Sequence, residues 1–419
     1  MNITHIPFTG GRLNIGTTTK FKTIRIQVAF HGPLDASSVT SRAVLPYLMR
    51  SISDKYPTRI ALQTKLEELY AAGFLGSVRK IGLTQEIAFD LHIIHDDYAT
   101  ESANLLDEAF AFLHEILFQP RFDQTIFEEE VRLIDEYFLG IYGDKMRYSL
   151  MQLQNIMYEG QPYQLDAMGK QEELEHLTLE DCRNAYHQMI AHDAININVV
   201  GAVDEATILP YVNRYMAFSD RSTDRTVLDY TYRSLENGPR LVEELHDVMQ
   251  GKLAVGYRLP AYYQSDSYYH AVVFNALFGG GPDSMLFRRI REELNKVYFI
   301  GSFYDQYKGS MVVYAGIEST DQPIVMEEIQ GLLKRIQTKD ITEQALTIAK
   351  KSLIQNLIES LDSIGALTSR INHLAMFNKS FDQERLIREV EQTTLDDVAA
   401  LANQMSLDTT FFLRGDDHE

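Results

Sequence analysis

Apolar and polar residues alternate along "FKTIRIQVAF" and again along "GKLAVGYRLP", the period-two pattern of a strand with one face in a core. "TQEIAFDLHIIHD" and "GSMVVYAGIES" predict one more strand in each half of the chain, after a first helix. Helical periodicity follows in "DEAFAFLHEILFQPRFDQTIFEEEVRLIDEYF" and in "EEIQGLLKRIQTKDITEQALTIAKKSLIQNL", each a helix, a short polar break and a longer helix. Then "EELEHLTLEDCRNAYHQMIAHDAININVVGAVD" is echoed by "REVEQTTLDDVAALANQMSLDTTFFLRGDD": a Thr-Leu-acid-Asp helix start, a helix, and an apolar strand closing on Gly. "LQTKLEELYAAGF" and "LFRRIREELNKVYF" make a further pair. The echoes keep the same order in both halves, as a duplication requires.

Each half reads β, α, β, long α, α, β. This predicts an α+β fold, two tandem copies of a mostly antiparallel sheet packed with helices. The polar, turn-rich "AFSDRSTDRTVLDYTYRSLENGPR" has no helical period and places the join between the copies. The expected domains are residues 1–218 and 241–419, with a linker at 219–240.

The chain has 419 residues, 45% of them hydrophobic, enough for two cores. A formal charge of −20 argues against nucleic acid as a partner, which calls for a basic face. Cys182 is the only cysteine, so no intrachain disulfide can form, and a reducing compartment suits the chain. The first residues carry no cationic and apolar leader pattern, and no apolar run approaches the roughly 18 residues of a membrane span. The expectation is a soluble cytoplasmic protein without a membrane partner.

Among twelve histidines, His92 and His95 are the closest pair, but a spacing of three along a strand turns the rings to opposite faces. His114-Glu115 lacks a second histidine one helical turn on, where Phe118 stands, and reads as a helix surface pair. There is no GxSxG elbow, and Cys182 sits at a packed helix position. "LFGGGPDSMLFRRIREELNKVYF" has three glycines but no Lys-Ser/Thr to hold phosphate. Locally it predicts a loop capped by Asp283 or Ser284, then a helix burying Leu286, Ile290 and Leu294. Three glycines also permit close approach of another backbone.

That stretch resembles the second-domain signature of the insulinase/pitrilysin zinc metallopeptidases: a glycine-rich segment, Ser-x-Leu-Phe, Arg-Glu, and a Tyr seven residues after the Arg. The resemblance spans nearly the whole chain and implies the tandem α+β fold of that family, like mitochondrial processing peptidase. It assigns Arg291 and Tyr298 to holding substrate in a partner's active site, and Gly279, Gly280 and Gly281 to the path of the peptide. Asn295 stands where the family usually has Gly.

The first half departs from the family pattern. The family's HxxEH supplies two zinc ligands and a Glu that activates water, and no HxxEH or HExxH occurs here. Aligned on "LQTKLEELYAAGF", the motif positions fall on Val44, Tyr47 and Leu48. Glu129 and Glu136 in "FEEEVRLIDEYF" match two carboxylates of the family's later helix, the second of which completes its zinc site. Without the histidines, Glu136 reads as a solvated or structural remnant. The resemblance therefore implies no metal and no catalytic residue in this chain alone. It implies a non-catalytic subunit of a heterodimer whose HxxEH-bearing partner holds zinc, with a peptide as substrate and a homodimer possible without that partner; the −20 charge is compatible with attracting basic peptides. In the family's two-chain forms the halves close around an acidic chamber. Within the family, length and degraded motif look most like small bacterial members associated with maturation of elongation factor P. The alternative is a scaffold or peptide-binding protein with no part in hydrolysis.

Overall fold

In this computed structural model, residues 2–99, 104–219, 221, 228–235 and 238–415 are described; 220, 222–227 and 236–237 of the expected linker lie outside them. The chain divides into two compact units. The first comprises Met1–Phe138, Leu165–Val227 and Glu359–Phe381; the second comprises Leu139–Gln164, Leu228–Ile358 and Asp382–Glu419.

The first unit is built on a mixed sheet of β1 (Asn2–Phe8), β2 (Gly11–Thr17), β3 (Thr23–Pro33), β4 (Gly73–Ile81), β5 (Thr84–Ile94) and β6 (Ala194–Gly201), in the order β1-β2-β6-β3-β5-β4. Only β2 and β6 run parallel. The second unit holds β7 (Arg240–His246), β8 (Gly251–Arg258), β9 (Val297–Asp305), β10 (Ser310–Ile317) and β11 (Ser406–Gly415), in the order β7-β11-β8-β10-β9. There only β7 and β11 run parallel. The two orders superimpose strand for strand, from β2 to β4 and from β7 to β9, and β1 is the one strand without a counterpart. The α+β duplication predicted from the sequence echoes is this topology.

The repeated Thr-Leu-acid-Asp starts form the same local structure in both units. Thr178 and Thr394 each accept a backbone N–H through their side chains, from Asp181 and Asp397, and those aspartates reach back to the threonine N–H groups as capping boxes. The helices they open, Leu179–His192 and Leu395–Ala402, lead into β6 and β11.

Each unit also contains a helix from the stretch of sequence that mainly builds the other. The Ile364–Met376 helix packs on β2, β3 and β6, and the Lys145–Met157 helix on β8 and β11. The first of these meets a sheet face that is polar and buried. Asn372 accepts hydrogen bonds from Asn196 and Asn198, both at 3.1 Å, and donates to Glu86, to which His31 Nε2 lies at 2.9 Å. Asn198 also donates to Gln27 at 3.0 Å, and Gln27 to Asp90 at 3.2 Å. Polar groups taken out of water must find partners of this kind or cost stability. On the other side of the second sheet, Leu253, Val255 and Phe412 pack with Phe274, Val325, Ile329 and Leu401 of the helix layer in an apolar core.

Candidate functional site

The positions that correspond to a zinc helix lie on the Val39–Met49 helix of the first unit. Val44 and Leu48 are buried in the core, and Tyr47 is half-buried with its hydroxyl 4.0 Å from Met168 Sδ. Burial raises the Tyr47 phenol above its ordinary value, opposed by the Arg50 guanidinium, which lies 5.0 Å from the ring centre. Two aliphatic side chains and a phenol of raised pKa offer no lone pairs suited to zinc, so these residues do not fit the ion. Among the described residues, no three His, Cys, Asp or Glu side chains converge on a point where a metal could sit.

The later helix, Gln124–Gly143, carries its carboxylates differently from the sequence alignment. Its buried stripe is Phe127, Glu130, Ile134, Phe138 and Ile141. The carboxylate on this buried face is Glu130, which accepts from Ser51 Oγ at 3.0 Å and from Arg59 at 2.9 Å. Glu129 shares Arg59 at 2.6 Å. Glu136 is exposed and pairs with Arg132 one turn away at 2.6 Å. A protein cation, Arg59, thus bridges Glu129 and Glu130 and offsets part of their charge. Glu130 was missed in the sequence because three consecutive glutamates leave the register ambiguous; the apolar spacing of Phe127, Ile134 and Phe138 identifies the buried one.

His92 donates or accepts at Thr23 Oγ1, 2.8 Å away, and His95 sits beyond the end of β5, so the two form no joint site. His114 bonds the Tyr215 carbonyl at 2.7 Å. Cys182 is fully buried, and burial pushes its thiol up to about 12, which leaves it inert at neutral pH.

In the second unit the glycine-rich stretch closes the Tyr268–Phe278 helix and lies against β9. The Gly279 carbonyl accepts the Ser302 N–H at 2.8 Å, and Ser302 Oγ donates to Asn275 at 2.8 Å. A Cβ on Gly279 would come within 2.6 Å of Ser302 Oγ and 2.7 Å of Leu286 Cδ1; on Gly280 it would come within 2.9 Å of the Asn275 carbonyl; on Gly281 it would meet nothing within 4 Å. Two of the three glycines therefore have an intramolecular reason. Gly280 and Gly281 line a cleft of about 1050 Å³ together with Phe303 and Tyr304 of β9 and residues of the Glu343–Ser360 helix.

The Phe287 N–H reaches Ser284 Oγ at 3.5 Å, and Leu286 and Ile290 are buried as the periodicity requires, while Leu294 is only half-buried. The helix itself differs from expectation: Phe287–Glu293 is wound as a π-helix. Such turns are scarce and have no sequence signature at this length, so the apolar period did not reveal it. It ends at Asn295, whose φ of 51° is left-handed, the region that glycine and asparagine tolerate best. That conformation explains why Asn can stand where the resemblance calls for Gly.

Arg291 donates to Asn295 Oδ1 at 3.1 Å and, among the described residues, has no carboxylate partner. Tyr298 is 53% exposed and its hydroxyl donates to Glu318, whose carboxylate raises the phenol's pKa. Arg291 is half-buried and Tyr298 exposed. They do not bond to one another and neither lines the cleft beside the glycines.

A family profile described as "Peptidase M16 inactive domain" matches residues 176–353. "Probable inactive metalloprotease YmfF" of Bacillus subtilis is 28% identical over 96% of this chain and 95% of its own length. "Uncharacterized zinc protease YmxG" of the same species is 24% identical over 74% of this chain and 76% of its own. A crystal structure of a conserved protein from Enterococcus faecalis matches with a TM-score of 0.93 at 28% identity, covering 100% of both chains. No helix among the described residues is long and apolar enough to cross a membrane. Residues 176–353 thus match the inactive domain of the M16 peptidases, and the chain is similar over nearly its whole length to a protein named as a probable inactive metalloprotease.

Proposed function

We propose that this chain is the non-catalytic subunit of a two-chain zinc peptidase, contributing peptide contacts to the active site of an HxxEH-bearing partner of the same family. The observation that carries the reading is a contrast within one molecule. The zinc-helix positions Val44 and Leu48 are core, while Arg291 is half-buried and Tyr298 exposed. Burying an Arg or a Tyr against the fold would be a structural use; Arg291 keeps N–H donors beyond the one given to Asn295 for a substrate carbonyl or a developing oxyanion, and Tyr298 would exchange its Glu318 acceptor for the same group. Bacillus subtilis holds one relative named as a probable inactive metalloprotease and another named as an uncharacterized zinc protease, which is compatible with a division of labour between two chains. The net charge of −20 favours basic peptides as substrate.

The chain's own residues would orient the peptide and supply hydrogen bonds; the partner's zinc would supply the Lewis acid that activates water. A scaffold role without part in hydrolysis is the second reading, favoured by the intramolecular packing of Gly279 and Gly280. Co-expression with the HxxEH-bearing relative tests the proposal through complex stoichiometry, bound zinc and hydrolysis of a fluorogenic peptide. A one-to-one complex holding one zinc, and more active than the partner alone, is expected. A stable complex with no gain in activity favours the scaffold.

A further inference from the structure

The two sheets have the same strand order except at one edge. In the first unit the outer side of β2 is covered by β1, antiparallel and in register over seven pairs from Asn2↔Thr17 to Phe8↔Gly11. Its counterpart in the second unit, β7, pairs with β11 on one side, and among the described residues no backbone group bonds its other side. A strand edge left open in this way is a template for another strand.

The side chains of β7 alternate. Arg240 and Glu244 turn toward the Lys145–Met157 helix and its C-terminal end, where Arg240 Nη1 contacts the Ile156 carbonyl at 3.4 Å and Tyr148 donates to Glu244 at 2.9 Å. Leu241, Glu243 and Leu245 turn the other way, in register with Thr410, Phe412 and Arg414 of β11. Phe412 belongs to the apolar core under the helix layer, but Leu241 and Leu245 lie past its margin and are 62% and 58% exposed. Met249, just beyond the strand, is 93% exposed. The edge thus combines unpaired backbone with two apolar side chains that the unit's own helices leave uncovered.

We infer that the outer edge of β7 docks an extended segment of another protein, which adds antiparallel as the sixth strand of this sheet. The segment carries apolar residues opposite Leu241 and Leu245 and a Lys or Arg opposite Glu243. The equivalent place in the first unit shows that the fold accepts an antiparallel strand there. Charge selects the occupant: a second copy of this chain, paired about a two-fold axis so that Leu241 meets Leu245, would set Glu243 against Glu243, and like charges directly opposite each other destabilise a strand pair. A partner strand with a cation at that position gains the attraction instead. The site is independent of the peptidase reading.

The test uses the full chain and two synthetic peptides, Ser-Leu-Thr-Lys-Thr-Leu-Ser and the same sequence with Glu in place of Lys, each blocked at both ends and fluorescently labelled. Fluorescence anisotropy is expected to show the Lys peptide binding at least about tenfold more tightly than the Glu peptide. Glu243→Lys should reverse that order, and Leu241→Ser with Leu245→Ser should weaken the Lys peptide about tenfold without lowering Tm. Two apolar cross-strand pairs and one ion pair together account for a change of this size. Equal binding of both peptides, or binding unaffected by Glu243→Lys, would overturn the proposal. So would a concentration-dependent dimer in sedimentation analysis that Leu245→Ser dissolves, because the edge would then belong to a second copy.

Discussion

Asn295 holds Arg291: its Oδ1 accepts from Arg291 Nη1 at 3.1 Å while its backbone closes the preceding helix at a φ of 51°. One residue therefore does two things, and substitution can separate them. Asn295→Gly keeps the left-handed backbone and should leave Tm nearly unchanged, whereas Asn295→Ala should cost about 1 kcal/mol, the strain of placing an ordinary side chain in that region. Both remove the anchor of Arg291. If Arg291 touches the peptide, both should raise KM for peptide hydrolysis by the reconstituted pair to a similar extent, despite their different stabilities.

The glycines make a second separation. Gly279→Ala forces a Cβ against Ser302 and Leu286 and should destabilise by about 1–3 kcal/mol, as overpacking does. Gly281→Ala meets open space and should change stability by less than about 0.5 kcal/mol. Chemical denaturation of the two variants gives the comparison. A fall in peptide affinity on Gly281→Ala without a fall in stability would mark that glycine as a peptide contact.

Acid stability should depend on Glu86. Burial acts to raise its carboxyl, but the hydrogen bond and charge of His31, followed by Arg79, overcome it and hold the value at about 2 against an ordinary 4.5. A depressed carboxyl contributes stability above its unfolded value and loses it as pH falls toward the folded value. The contribution, roughly 3 kcal/mol at most, should therefore be intact above about pH 5 and disappear between there and pH 2. Urea midpoints measured down this range should fall steeply for the native chain and less steeply for Glu86→Gln, which starts from a lower stability at neutral pH.

Arg59 bridges the carboxylates of Glu129 and Glu130. Arg59→Met should destabilise the first unit by about 1–2 kcal/mol, less than the loss of a fully buried partner because Arg59 is half exposed. Glu130→Gln added to it should recover part of that loss, since the uncompensated charge is then gone. A double-mutant cycle by thermal denaturation measures the coupling.

Much of the architecture could be read from the chain. β3, β5, β8 and β10 announce themselves by alternation, and the capping boxes at Thr178 and Thr394 appear as matching four-residue strings. The edge strands were harder. In β7, "RLVEELH" has only two leucines and a valine among charged residues, because one of its faces has no core to join. The use of the Ile364–Met376 helix in the first unit was not legible either, since helical periodicity reports that a face is buried and not which sheet buries it. Asn372 made that harder still, as a fully buried polar residue on a face that looks solvated in sequence. At the candidate site, the loss of the zinc motif was plain from the residues alone, but the identity of the buried carboxylate, Glu130, required the packing.

The central claim is that Arg291 and Tyr298 serve a partner's active site, and the direct measurement is kcat/KM for a fluorogenic peptide with the reconstituted pair carrying Arg291→Ala and Tyr298→Ala in this chain. The account predicts a loss of at least about tenfold, each donor to a developing charge being worth roughly 1.4 kcal/mol or more, with unchanged complex stoichiometry and Tm and with no hydrolysis by this chain alone. Undiminished activity in the double variant, or zinc-dependent hydrolysis by this chain without a partner, would contradict it.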